Sequence, residues 1–110
     1  MKYEVYPTQS FLKLSKKLKK KYPSIVSELE EICSILEENP FIGTPLGNQI
    51  YKIRMAVSSK GKGKSGGVRI ITFLITEEKE VYLVYIYDKG ELDNLTKDQI
   101  HEILKNAGLR

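Results

Sequence analysis

Apolar and polar residues follow two different rhythms along this chain of 110 residues, and each rhythm marks its own elements. Tyr3 and Val5 alternate with Lys2 and Glu4, which predicts a short strand ended by Pro7. Phe11, Leu14, Leu18 and Tyr22 then recur at spacings of three and four, one face of a helix, with Thr8 or Ser10 as its N-cap. Pro23 breaks that helix and suits the first turn of a second one, whose stripe is Ile25, Leu29, Ile32, Cys33 and Leu36. Pro40 and Gly43 close it, so a helical hairpin is predicted.

Residues 41–48 form a turn-rich connection. Three strands are predicted after it. Ile50–Val57 alternates, whereas Val68–Ile75 and Val81–Tyr87 are nearly continuous in apolar residues, as central strands packed on both faces are. Glu77–Glu80 supplies the turn between these two. Thr96 and Gln99 make a capping box for a last helix, flanked by Leu95 and Ile100, with Ile100, Ile103, Leu104 and Ala107 as its buried stripe. The expected fold is α+β in the order β-α-α-β-β-β-α, a mainly antiparallel four-stranded sheet carrying the helical hairpin and the C-terminal helix on one face. Residues 1–110 read as a single domain.

Composition narrows the classes. Hydrophobic residues make up 41% and charged residues 29%, values of a folded globular chain. The lone Cys33 excludes an internal disulfide and a cysteine-based zinc cluster, and no metal is expected. No apolar run reaches the roughly 20 residues that span a bilayer, and the N-terminus lacks a signal-peptide stretch. A cytoplasmic protein with no membrane partner is expected.

Charge is unevenly distributed, and this changes the picture. Residues 1–24 hold seven lysines against Glu4, residues 25–47 hold five glutamates and no base, and residues 48–70 hold six bases and no acid. Two concentrated basic blocks suit a polyanion. In the second block, strand alternation turns Lys52 and Arg54 to the face opposite Tyr51, Ile53 and Met55. If the next strand pairs as a hairpin, Arg69 joins them, and three converging cations suit a phosphodiester. The bland reading is an edge strand charged against aggregation.

The intervening loop, Ser58 to Gly67, carries Lys60, Lys62 and Lys64 among glycines, a composition that can follow an RNA backbone. Gly63-Lys64-Ser65 matches the end of a phosphate-binding P-loop, but the first glycine is absent and a strand follows where a helix is required. Nucleotide triphosphatase chemistry is therefore rejected. His101 reads as a surface residue and Cys33 as core. Alternation puts Tyr85 and Tyr87 on one face and Tyr82 on the other. Tyr87, at the strand end beside Asp88 and Lys89, can stack on a base, donate a proton or simply pack.

The run Tyr51-Lys52-Ile53-Arg54, then Lys64 to Ile71, then Val84-Tyr85-Ile86-Tyr87-Asp88-Lys89 resembles the RelE/ParE toxin superfamily, and the basic glycine-rich loop is most similar to HigB-type members. The order of elements agrees along essentially the whole chain. The resemblance implies the toxin of a type II toxin–antitoxin pair, a ribosome-dependent mRNA endoribonuclease that inhibits translation. Its partners would be a cognate antitoxin protein and mRNA on the ribosome, with no small-molecule cofactor. It matches Lys52 or Arg54 to the family's strand cations and Arg69 to its phosphate-binding arginine. Typical RelE members carry another arginine after the final strand and a tyrosine near the start of the last helix. This chain has neither, and Lys89 and Tyr87 are the substitutes. Cleavage by the ribose 2′-hydroxyl needs a base, cations and an acid, and the base would be a lysine depressed by cationic neighbours. The alternatives are a ParE-like gyrase inhibitor and a non-catalytic nucleic-acid-binding module.

Overall fold

The computed structural model describes residues 2–61, 63, 66–91 and 94–109. The strands are β1 (Glu4–Pro7), β2 (Thr44–Gly47), β3 (Ile50–Met55), β4 (Val68–Ile75) and β5 (Glu80–Asp88). The helices are α1 (Gln9–Lys21), α2 (Ile25–Glu38) and α3 (Lys97–Asn106), with a short 3₁₀ turn at Ser58–Lys60. The strands form one sheet in the order β1-β5-β4-β3-β2, and only the β1–β5 pair is parallel. Among the described residues, no helix is long and apolar enough to cross a membrane.

Local chemistry accounts for the helix boundaries. Thr8 ends β1 and caps α1: its Oγ1 accepts the Phe11 N–H at 3.3 Å and donates to the Leu83 carbonyl at 3.0 Å. The same hydroxyl thus starts the helix and ties it to β5. Lys19, Lys20 and Lys21 fill the last turn of α1, where cations oppose the helix dipole. The Thr96–Gln99 capping box forms with both of its bonds, at 3.1 and 2.8 Å.

The sheet has five strands where four were expected. The added strand, β2, lies in the stretch read as a turn-rich connection. Pro45 and Gly47 hide it from pattern reading, and its place at the sheet edge tolerates the missing proline N–H. It reaches β3 through Asn48 and Gln49, both at positive φ (53° and 66°), as a tight two-residue hairpin turn requires.

The helices do not share a face, contrary to expectation. Phe11, Leu18, Ile25 and Leu36 from the helical hairpin pack on Ile53, Val68, Ile70, Leu83 and Ile86. Ile100 and Leu104 of α3 pack on the opposite face, against Ile50, Ile71, Phe73 and Val84. Burial on both sides is what the continuous apolar runs of β4 and β5 demand.

A bulge interrupts β5. Ile71 pairs with Tyr85 and Thr72 with Leu83, leaving Val84 as an extra residue. Before it, Val81 and Leu83 face the helical hairpin; after it, Ile86 does. Val84, Tyr85 and Tyr87 therefore face α3, together with Tyr82. This corrects the simple alternation that put Tyr82 on the other side from Tyr85 and Tyr87. Where β4 begins, a Cβ on Gly67 would stand 2.0 Å from the Met55 carbonyl oxygen, so only glycine permits this approach to β3.

Candidate nucleic-acid site

Register aligns the candidate residues into rows. Arg54 of β3 pairs with Arg69 of β4, and Arg69 pairs with Tyr87 of β5. The three side chains form a row across the α3 face of the sheet. The next row is Lys52, Ile71 and Tyr85. Exposure rises along the first row: Arg69 and Tyr87 are only 4% and 5% exposed, whereas Arg54 is exposed and Lys52 half-buried. The Tyr85 and Tyr87 rings lie 6.2 Å apart, joining the two rows on β5.

Two arginines directly opposite each other on neighbouring strands repel, a loss that an anion between them reverses. Among the described residues, no ion pair engages Lys52 or Arg54. The exposed Arg54 and the half-buried Lys52 suit a phosphate group at the surface, with Arg69 and Tyr87 buried next along the row.

Lys60 stands apart from this row. It sits in the 3₁₀ turn with its side chain only 10% exposed, in an ion pair with Asp88 and 5.6 Å from the Tyr22 ring centre. Asp88 points to the helical-hairpin side, opposite Tyr87. Its carboxylate also accepts from the Tyr22 hydroxyl at 2.7 Å and the Gly90 N–H at 2.9 Å, with Lys21 Nζ at 3.7 Å. Burial pushes the Asp88 carboxyl up, but the Lys60, Tyr22 and Gly90 donors outweigh it and bring it down to about 2. Lys21 in turn is raised by its bond to Glu91.

The base of the loop is pinned from the helical side as well. Glu28 accepts the Ser58 N–H at 2.8 Å, and Ser24 Oγ accepts the Ser59 N–H at 3.1 Å. Lys62 and Lys64, expected to contact RNA, lie outside the described residues. Lys89 is half-buried just past β5, and its N–H donates to the Gly67 carbonyl at 3.2 Å. That bond closes the end of β5 onto the start of β4, beside the arginine row.

Sequence reasoning missed Asp88, Tyr22 and Ser24. One signal was present: an acid at the end of a nine-residue strand that is otherwise nearly apolar is destined for burial or a turn. Its partner 28 residues away carried no such mark.

Comparison with known proteins agrees with this fold. The family described as the RelE toxin of the RelE/RelB toxin–antitoxin system matches residues 3–109. Among solved structures, a double arginine-to-alanine mutant of the E. coli toxin RelE in the free state is similar, with a TM-score of 0.64. The two chains are 19% identical, and the match covers 96% of this chain and 98% of that one, a likeness of fold. The chain belongs to the RelE family of toxins, within the RelE/ParE superfamily.

Proposed function

We propose that this toxin is a metal-independent endoribonuclease that acts in the cytoplasm, cuts mRNA on the ribosome and so halts translation. The observation that carries the reading is the row of Arg54, Arg69 and Tyr87, with Lys52 beside it. In the reaction the ribose 2′-hydroxyl attacks the adjacent phosphorus, the bond from phosphorus to the 5′ oxygen breaks, and a cyclic phosphate and a free 5′-hydroxyl result. Arg54 and Arg69 hold the phosphate and offset the charge that grows on its oxygens. Lys52 and Tyr87 flank the arginines and serve proton transfer from the attacking hydroxyl and to the leaving oxygen. Lys89 adds a cation at the end of β5, standing in for the arginine that typical relatives carry there. Membership of a toxin–antitoxin family supplies the expected partner, a cognate antitoxin that neutralises the toxin.

The test is induced expression in a bacterial host with transcript ends mapped, beside Arg54→Ala and Arg69→Ala. Arg54 is exposed, so its variant keeps the fold; Arg69 is buried, so its variant is compared by thermal melting first. New ends inside translated codons, lost in a folded variant, support the reading. Arrested growth with intact transcripts and DNA damage would replace it with gyrase inhibition, and harmless expression with a binding module.

A further inference from the structure

A groove of about 400 Å³ lies between the β2–β3 hairpin and α3, on the same side of the sheet as the arginine row. Its floor is apolar, formed by Leu46, Ile50 and Leu95. Its rim is basic and polar: Lys52 from β3, Asn94 from the approach to α3, and Lys97 and His101 from α3 itself. Lys97 and His101 stand four residues apart, which places them one above the other on the helix surface. His101 is the single histidine of the chain, and the arginine row makes no use of it.

Three properties decide the class of ligand. Among the described residues, none that lines the groove is acidic, although the chain has 14 acidic residues, so the groove suits an anion. The floor is apolar, so the ligand has an unsolvated face as well as a charge. The volume is near the lower end of small-molecule sites, which suits one nucleotide. A nucleobase pressed on Leu46, Ile50 and Leu95 would offer its edge to Asn94, whose amide both donates and accepts. Lys52 and Lys97 would then take the flanking phosphates.

Position joins the groove to the cleavage row. Ile50, Lys52 and Arg54 follow one another on the same face of β3, and Lys52 belongs to both places. A strand of RNA with one phosphate at Arg54 and Arg69 would reach the groove with its neighbouring nucleotide. We propose that this groove is the base-selecting subsite of the toxin, taking the nucleotide next to the phosphate held by the arginine pair. The proposal rests on the RNA reading above.

The experiment measures binding of labelled single-stranded oligoribonucleotides, differing at one position among the four bases, by fluorescence anisotropy. The proteins are the wild type, Arg54→Ala and the double variant Lys97→Glu/His101→Ala. Both helix positions are exposed, and an acid in the first turn favours the helix, so the double variant folds. The wild type should prefer one base by at least about fivefold, and the double variant should lose that preference together with affinity. Arg54→Ala should weaken every oligonucleotide alike. A double variant with undiminished preference and affinity, beside a weakened Arg54→Ala, would overturn the subsite while leaving the RNA site standing. Absence of RNA binding by the wild type would overturn the subsite, whereas the ribosome-dependent reading stands or falls with the transcript ends mapped above.

Discussion

Replacing Asp88 by asparagine tests what one buried carboxylate contributes. Asparagine keeps the shape, but its single carbonyl oxygen can take the place of only one carboxylate oxygen, the one facing Lys60 and Gly90 or the one facing Tyr22, so the change removes the charge together with one acceptor. The carboxyl goes from 3.8 in the unfolded chain to about 2 in the fold, a difference worth about 2–3 kcal/mol. Removing one partner of a buried pair costs about 3–5 kcal/mol in general. Here Lys60 keeps some exposure and Lys21 is half in solvent, which favours the lower figure. A loss of about 2–4 kcal/mol at neutral pH is expected for Asp88→Asn, read by urea unfolding with an unchanged slope.

The pH dependence gives an independent check. Because the folded pKa lies below the unfolded one, the contribution is complete above about pH 4 and disappears as pH falls toward 2. Wild-type stability should therefore drop by about 2–3 kcal/mol over that window from this group alone. Asp88→Asn should lack that share of the decline, so the two curves converge in acid. A variant within about 0.5 kcal/mol of wild type at pH 7, with an identical acid limb, would refute the assignment.

Three further outcomes follow from particular contacts. Gln49 sits at positive φ, where a side chain is strained, so Gln49→Gly should raise stability by about 0.5–1 kcal/mol in thermal melts. Gly67→Ala should cost about 2–3 kcal/mol in urea unfolding, because its methyl group would collide with the Met55 carbonyl rather than with a side chain that can turn aside. Arg54→Ala should melt within about 0.5 kcal/mol of wild type yet lower the salt dependence of RNA binding by about one unit of slope, the share of one phosphate contact. An unchanged slope would remove Arg54 from the site.

Strand alternation alone placed much of the candidate row on the sheet. Lys52 and Arg54 read as a pair on one face because β3 is regular, and Arg69 joined them because a hairpin was the simplest link. What escaped the pattern depended on distant partners. Lys60 looked like a loop cation because the carboxylate that buries it lies beyond β4, at the end of β5. The apolar stripe of α3 showed that one side of the helix is covered, but a stripe carries no sign of which face of the sheet covers it. The edge strand β2 is four residues long and depends on β3 for its pairing, so its own sequence has little to declare.

The additional residue at Val84 gives sequence alignment of this family a geometric meaning. From that point to the end of β5, counting by twos from the start of the strand names the wrong side of the sheet. Deleting Val84 would let the Thr72–Leu83 and Ile71–Tyr85 pairs follow one another as a regular ladder, and Tyr87 would stay opposite Arg69 on the α3 face. A gap of one position at Val84 between two relatives therefore preserves the arginine row, whereas a strand of the same length without the bulge would turn Tyr87 toward the helical hairpin. Relatives without the bulge would keep an equivalent site only by carrying their aromatic residue one place earlier or later in the chain.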